Sequence, residues 1–385
     1  MKLAITGMAA LLAGAAPVLA GGIERAPQSL NILFEEGNYA ELSFGGADPT
    51  VEGTDTGLQP ALPIGPRATG DVANGYGFVG LSYKHQFSDA LSAAIIIEQP
   101  FGADVSYQAF NPATGQGGSS LLGGTMARVD STTFTALMRY KLPNNLSFHG
   151  GLRGSQADAE VTLQGFAYGP PTPPTFSGYN VQLDKDFGVG YVVGAAYEIP
   201  DIAGRVSLTY NSKVEHEFDT VESLQGNVIG RSTTTVDTPE SVTLEAQSGV
   251  APGTLVFGSI RWVNWSEFKV DPAVFTATSG SGLVSLEDTT TYTLGVGRKF
   301  NDTWSGSAAL TYEPENDDLV SPLAPTNGRV GVTLAAVYTM DNIKITTGIN
   351  YTKLGDARPQ TGGAGRAQME DSDLLGIGVR IGYSF

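Results

Sequence analysis

The sequence predicts an all-β fold, a 14-stranded antiparallel transmembrane β-barrel preceded by a short N-terminal leader or hatch. Segments in which every second residue is apolar recur along the chain, and residues typical of turns separate them. Long and short connections between these segments alternate. The last segment, residues 376–385, ends on Tyr383 and Phe385, which water would contact if it were the edge strand of a soluble sheet. In a closed barrel wall, lipid covers such a face and both strand edges are paired.

The N-terminal region is expected to have two parts. Lys2 precedes an uncharged stretch rich in Ala and Leu that ends in small residues at Ala20, which is typical of a secretory signal peptide over residues 1–20. Residues 21–37 are then a short hatch segment, and residues 38–385 form the barrel. No later stretch approaches the about 18 consecutive apolar residues of a spanning helix, so the mature chain is expected to cross a membrane as strands.

Composition excludes several classes of function. The formal net charge of −17 makes nucleic acid an unsuitable partner, since a phosphate backbone requires a basic face. The chain has no cysteine and only three histidines, His85, His149 and His216, which are scattered without the spacing of metal ligands. The sequence therefore predicts no metal, no cofactor and no catalytic residues.

The strands are expected to run alternately up and down. The first covers residues 39–44, the second places Val79, Leu81 and Tyr83 on one face, and later upward strands begin near Leu91, Leu146, Val206, Leu255, Trp304 and Ile343. The downward strands are expected over residues 134–140, 189–197, 242–247, 292–300, 330–338 and 377–385. Long loops are expected near residues 45–75, 99–130, 155–180, 213–240, 266–288, 314–327 and 353–372. Seven strands in each direction, with short turns on one side, match the asymmetry of bacterial barrels.

Three stretches carry a resemblance to a known family. They are residues 262–268 (WVNWSEF), residues 98–103 (EQPFGA) and the terminal strand ending in Phe385. With the strand count and order, these stretches resemble the FadL/TodX (OMPP1) family of outer-membrane transporters of hydrophobic compounds. The resemblance implies a monomer in the cell outer membrane that takes up long-chain fatty acids or other hydrophobic small molecules. It also implies a hatch in the lumen and a kink in the third strand that opens a side passage. The leader here is shorter than the family's plug.

The third strand carries residues suited to such a kink. Pro100 has no N–H for the ladder, and Gly102 permits a bulge or bend. The alternative is that Pro100 simply ends the strand at the membrane surface.

An acid with a hydrophobic tail needs an apolar slot and a cation for its head. The apolar candidates lie in the leader, the third strand and the outer loops; they are Leu30, Ile32, Phe34, Phe101, Leu121, Leu122, Phe166 and Phe176. The candidate cations on lumen-facing positions are Lys84, Arg139, Arg153 and Arg205. In the alternative interpretation, the loops pack on one another as a lid and the cations pair with lumen acids such as Glu41 or Glu98.

The predicted partners are a fatty acid or hydrocarbon, together with outer-membrane lipid and lipopolysaccharide around the wall. Three other interpretations remain open, the least specific being a purely structural or adhesive barrel. A general diffusion porin would have an open, charged channel. A barrel that hydrolyses lipids would need a base and a nucleophile on one face, and His149 is the one inward-facing candidate base.

Overall fold

The chain forms a closed antiparallel β-barrel. The computed structural model describes residues 23–25, 29–57, 65–170, 175–316 and 319–385, and within these ranges fourteen strands close the wall. They are β1 (Tyr39–Thr50), β2 (Tyr76–Gln86), β3 (Leu91–Glu98 and Gly102–Ser106), β4 (Met126–Lys141), β5 (Leu146–Leu163), β6 (Tyr179–Ile199), β7 (Gly204–Asn211 and Val214–Leu224), β8 (Asn227–Thr238 and Ser241–Ala251), β9 (Thr254–Val263), β10 (Thr289–Lys299), β11 (Trp304–Glu313), β12 (Arg329–Met340), β13 (Ile343–Leu354) and β14 (Asp373–Ser384).

Pairing of the first and last strands closes the barrel. β1 lies antiparallel to β14, from the Tyr39/Ser384 pair to the Thr50/Asp373 pair, and pairs with β2 on its other edge. Ile377, Tyr383 and Phe385 point outward and are exposed, as the alternation along the terminal segment predicts. Strands satisfy all their backbone groups in hydrocarbon only when the ladder is closed. The closed wall confirms the prediction of a 14-stranded transmembrane barrel.

Helical structure is sparse. Among the described residues, one α-helix, α1 (Ala273–Ser279), is present, and short 3₁₀ turns cover Asn31–Phe34, Phe166–Tyr168, Pro200–Ile202 and Trp265–Glu267. No helix within the described ranges is both long enough and apolar enough to span a bilayer.

The polarity of the wall reverses towards its outer end. In the lower part of β6, Phe187 and Val189 are exposed on the outside, whereas higher up Val181 and Leu183 are buried inside. The change occurs where β6 has one more residue than β5, because Leu183 lies opposite Ala159 but Asp186 lies opposite Ala157. One extra residue moves every following side chain to the other face of the sheet.

The hairpin of β7 and β8 follows the same reversal. Val206 and Leu208 face outward in the lower segment of β7, whereas Val214 and Phe218 are buried in the upper segment. The two segments are separated at residues 212–213, opposite the break at residues 239–240 in β8. The base of the upper hairpin lies over the inner face of β6, where a Cβ on Gly188 would come within 2.2 Å of the Glu215 carbonyl oxygen. Farther out, β7 pairs edge to edge with β6, from Leu183/Thr220 to Tyr179/Leu224. Glycine at this position lets the hairpin bend over the lumen.

The outer loops pack together above the barrel. Leu121, Leu122, Tyr107 and Met369 are buried in one apolar cluster, and the Tyr107 hydroxyl donates to the Pro322 carbonyl at 3.0 Å. Burial raises the pKa of the Tyr107 phenol, so it stays neutral. The cluster forms a dry lid.

A buried carboxylate ties the loops of this lid together. Asp55 lies in the short strand Gly53–Asp55, which pairs with Ala367–Met369. It accepts hydrogen bonds from the Ser119 hydroxyl at 2.9 Å and the Ser120 amide at 2.7 Å. The first and second long loops are therefore joined by one side chain.

The starts of the upward strands match the sequence expectations, but several outer ends do not. β6 begins at Tyr179 rather than near residue 189, β5 continues to Leu163, and strands cover most of the expected loop at residues 213–240. These outer segments expose polar side chains such as Glu215 and Glu217 to water. Their polarity resembles that of loops, although the backbone continues as a ladder.

Candidate hydrophobic-ligand site

An apolar cavity of about 70 Å³ lies inside the outer end of the barrel. Its wall combines the bend in β3, the inward faces of β4 to β8 and the loops after β9 and β11. Representative lining residues are Phe101, Ala127, Leu183, Phe218, Val236 and Phe268. None of the described residues that line it is a lysine or arginine. The cavity suits a hydrocarbon body and offers no cation for an anionic head.

Aromatic side chains support the floor of the cavity. Phe101 meets Trp265 edge to face, with ring centroids 6.0 Å apart, and Trp265 meets Phe268 in the same way. The guanidinium of Arg153 lies 5.7 Å from the Phe101 ring centre, and its side chain is almost fully buried. Phe101 therefore lies between the apolar cavity and the charged side chain of Arg153 below it.

The third strand is kinked next to this cavity. β3 stops at Glu98, opposite Thr133, and resumes at Gly102, opposite Asp130, so it contains one more residue than β4. Pro100 lies in the interruption and does not end the strand. The expectation of a kink at Pro100 and Gly102 is confirmed.

The kink leaves a gap in the ladder between β2 and β3. Below it, the two strands pair up to Leu81/Ile97, and above it Ala73 pairs with Val105. Between these levels, the strand-three backbone bonds inward to the leader instead. The Arg25 amide donates to the Pro100 carbonyl and the Gly102 amide to the Ile23 carbonyl, each at 2.8 Å. We call this gap the side window.

Arg25 occupies the inner side of the window. Its guanidinium lies 4.9 Å from the Tyr76 ring centre and 3.5 Å from the Asp130 carboxylate. A Cβ on Gly102 would come within 2.4 Å of the Arg25 Cζ atom, so the absence of a side chain there makes room for the guanidinium. Arg25 lines a vestibule of about 40 Å³, which shares Ala103 and Leu323 with the main cavity.

Outside the window, the barrel wall has a groove of about 490 Å³. Gly46 and Gly77 lie opposite each other and present no side chain to the outer face. Phe44, Val79 and Ile377 flank this depression. Cavity, vestibule, window and groove thus lie next to one another.

The leader packs into the lower lumen. Leu30, Ile32 and Leu33 are buried, and they cluster with Tyr39, Ala94, Ile96, Leu137 and Val192 of β1, β3, β4 and β6. These strands form one arc of the wall. The leader also contacts Arg205 of β7 and Lys344 of β13, which lie nearly opposite each other in the strand order, so it reaches across the interior.

Cations from the wall hold the leader in place. Phe34 lies between two guanidinium groups, with Arg139 Cζ at 4.5 Å and Arg205 Cζ at 3.9 Å from its ring centre. Lys84 donates to the Glu35 carbonyl, and Lys344 pairs with the Glu35 carboxylate at 3.1 Å. A second contact lies higher up, where Arg261 of β9 pairs with the buried Glu24 at 2.5 Å.

The predicted site residues lie in four parts of the molecule: the cavity, the side window, the lid and the lower lumen. Phe101 lines the cavity, and Phe176 and Arg153 pack near it. The window contains Pro100 and Gly102, and the lid contains Phe166, Leu121 and Leu122. Leu30, Ile32, Phe34 and Arg139 lie together in the lower lumen, with Lys84 and Arg205. These cations contact the leader and wall acids, as the alternative interpretation expected, since Arg139 also pairs with Glu198.

Sequence reasoning missed most of the cavity wall. His216 was expected in an acidic outer loop, but it lies on β7 and lines the cavity. The available signal was the alternation of Val214, His216 and Phe218 with acidic residues, which predicts a strand with a buried face. His149 lies in the lower lumen, where its Nε2 is 3.0 Å from the Thr209 hydroxyl and its ring meets Phe34 edge to face.

The closed wall, the filled lower lumen and the apolar cavity define an outer-membrane β-barrel channel for hydrophobic compounds. The chain belongs to the outer membrane protein transport family (OMPP1/FadL/TodX), whose model matches residues 3–376. Members of this family are transport channels rather than enzymes. A comparison with curated protein sequences finds no match.

Solved structures share the fold at low sequence identity. A FadL homologue of Pseudomonas aeruginosa is 16% identical with a TM-score of 0.71, and 92% of each chain is covered. The toluene transporter TodX of Pseudomonas putida is 15% identical with a TM-score of 0.61, covering 97% of this chain and 98% of TodX. The toluene transporter TbuX of Ralstonia pickettii is 12% identical with a TM-score of 0.62, covering 96% and 97%.

Proposed function

We propose that this channel mediates passive uptake of long-chain fatty acids or other hydrophobic small molecules, such as aromatic hydrocarbons. The outer loops capture the molecule, the apolar cavity holds it, and the side window releases it laterally through the barrel wall. The observation that carries this proposal is the inward turn of β3, which leaves the ladder open between the vestibule and the outer groove. The family's transport description and the toluene transporters of the same fold support a hydrophobic cargo.

Lateral release agrees with the polarity of the two available routes. Below the cavity, a molecule would meet the Glu24–Arg261 pair and then the leader with its cations. Beside the cavity, it would pass a vestibule whose charged side chains include Arg25, and then an apolar groove flanked by Phe44, Val79 and Ile377. The free energy of transferring a hydrocarbon from polar surroundings into an apolar environment is favourable, so release through the wall into the bilayer is expected.

Residues 21–37 serve in this proposal as a hatch that keeps the lumen closed, and residues 1–20 serve as a cleaved signal peptide. Residues 1–22 lie outside the described residues, so N-terminal sequencing of the mature protein is the test of cleavage. The channel acts as a monomer whose wall contacts lipid and lipopolysaccharide. Light scattering in detergent tests the monomer.

Blocking the window tests lateral release. The chain has no cysteine, so a single introduced thiol can be modified selectively. Gln99 lines the groove and its side-chain oxygen accepts from the Val79 amide at 3.2 Å, which places it in the window. Coupling a bulky maleimide to Gln99→Cys should abolish most uptake of a labelled fatty acid or toluene by cells. The matched control is Leu294→Cys, on the lipid-facing side of β10.

Two outcomes would count against the proposal. If the modified Gln99→Cys protein transports as well as the modified Leu294→Cys protein, the cargo does not pass the window. If the wild-type protein shows a large, steady ion conductance in planar bilayers, a diffusion porin fits better. The packing of residues 29–37 across the lumen favours the closed channel.

A further inference from the structure

The cavity contains one polar group whose hydrogen-bonding capacity is not used. Among its other polar lining residues, Ser131 exchanges hydrogen bonds with the Phe101 backbone and the Thr238 hydroxyl donates to the Val214 carbonyl. Asp158 lies 3.8 Å from Lys185, and both side chains are well exposed. His216 is only 1% exposed, and neither of its ring nitrogens makes a hydrogen bond within the described chain.

The ring of His216 is held in a fixed position. It stacks on Phe218 with ring centroids 5.3 Å apart and an angle of 14° between the planes. Its Nδ1 lies 3.4 Å from Asp186 Oδ2, outside hydrogen-bond geometry, and that oxygen already accepts from the Glu217 amide at 3.1 Å. A buried polar atom without a partner is costly, so it marks a position where a ligand group can be gained.

We propose that His216 binds the polar end of the cargo, and that the preferred cargo is an apolar molecule with a single neutral hydroxyl, such as a phenol or a fatty alcohol. This inference rests on the proposed function and narrows its cargo. The Asp186 carboxylate attracts the ring proton to Nδ1, which leaves the Nε2 lone pair as an acceptor for an O–H donor.

The charges around the cavity oppose an anionic head. The charged group next to His216 is Asp186 of β6, and the described residues of the lining include Asp158 but no lysine or arginine. A carboxylate would meet like charges there, whereas a hydroxyl carries none. A hydrocarbon without a polar group would leave His216 unpaired.

The test compares two probes of similar shape, p-cresol and toluene. Their affinities for the purified full-length barrel in detergent are measured by calorimetry for the wild type and for His216→Phe, which keeps an aromatic ring but has no nitrogen. The quantity of interest is the ratio of p-cresol affinity to toluene affinity, because comparing this ratio between proteins cancels the different hydration of the probes. The ratio should fall roughly 3- to 10-fold in His216→Phe, the equivalent of one hydrogen bond.

Controls keep the inference separate from the proposed function. His85→Phe, a histidine on the outer wall, should keep the wild-type ratio, and 4-methylbenzoate should bind more weakly than p-cresol. An unchanged ratio in His216→Phe overturns the inference while leaving toluene binding, and thus the proposed function, intact. If the wild type binds neither of these probes but binds a labelled fatty acid, the inference fails and the proposed function stands; if it binds none of the three, the proposed function itself is overturned. If His216→Phe does not fold, His216→Leu repeats the comparison.

Discussion

Leu33 offers a direct test of the leader as a closure of the lumen. Its side chain is fully buried and packs with Leu30, Tyr39 and Leu137. The change Leu33→Ala removes part of this contact but leaves the backbone, whose carbonyl accepts from Arg139 at 3.1 Å. The substitution therefore weakens packing of the leader without removing the cations that hold it.

The size of the effect follows from the burial of Leu33. Truncating a fully buried leucine to alanine costs about 2–5 kcal/mol. If this cost falls on the docked leader, the lower value raises the ratio of undocked to docked leader roughly 30-fold, since 1.4 kcal/mol corresponds to a factor of ten. The lumen should then open to ions more often.

Single-channel recording in planar bilayers measures this change. The Leu33→Ala protein should show brief, large openings that are rare in the wild type. The control is Leu294→Ala, which removes the same atoms from the lipid-facing side of β10. If Leu33→Ala and Leu294→Ala have the same conductance as the wild type, the leader does not close the lumen and the reasoning fails.

Three further substitutions test the window, the wall and the lid. Arg25→Ala empties the inner side of the window and should speed uptake of labelled toluene into proteoliposomes, whereas Arg128→Ala, at an exposed arginine, should not. Arg329→Met leaves the buried Glu313 carboxylate without the cation 3.3 Å away and should destabilise the barrel by about 3–5 kcal/mol, measured by urea unfolding in detergent; an unchanged midpoint contradicts this. Asp55→Asn weakens the hydrogen bonds that join two loops by about 1.5–3 kcal/mol, so limited proteolysis should cut the lid faster than in wild type.

The lower half of the barrel was well predicted from sequence because one physical rule governs it. Hydrocarbon outside and small or polar residues inside impose a strict alternation, so the starts of β3, β5, β11 and β13 were placed at the observed residues Leu91, Leu146, Trp304 and Ile343. The kink at Pro100 can be predicted from sequence for a similar reason, since a residue without an N–H interrupts the hydrogen-bond ladder.

The upper half was predicted poorly because water replaces lipid there. In the upper part of β7, the outward positions carry charged side chains such as Glu215 and Glu217 instead of apolar ones. The sequence of this segment therefore resembles that of a loop. The reversal at residues 184–185 also depends on one extra residue relative to β5, which only the paired strands reveal. The sequence alone therefore predicts a loop at His216, although this residue lies on β7 and faces the cavity.

The reversal in β6 to β8 has a consequence for how this chain can change over time. Beyond the bulge, the even-numbered side chains of the hairpin touch the cavity, whereas nearer the periplasm the even-numbered side chains of the same strands touch the bilayer. A substitution at Phe218 or Val236 can therefore alter cargo preference without disturbing insertion, and one at Leu208 or Leu244 can tune insertion without altering cargo. These local breaks in the strands give two selective pressures separate sets of positions on which to act.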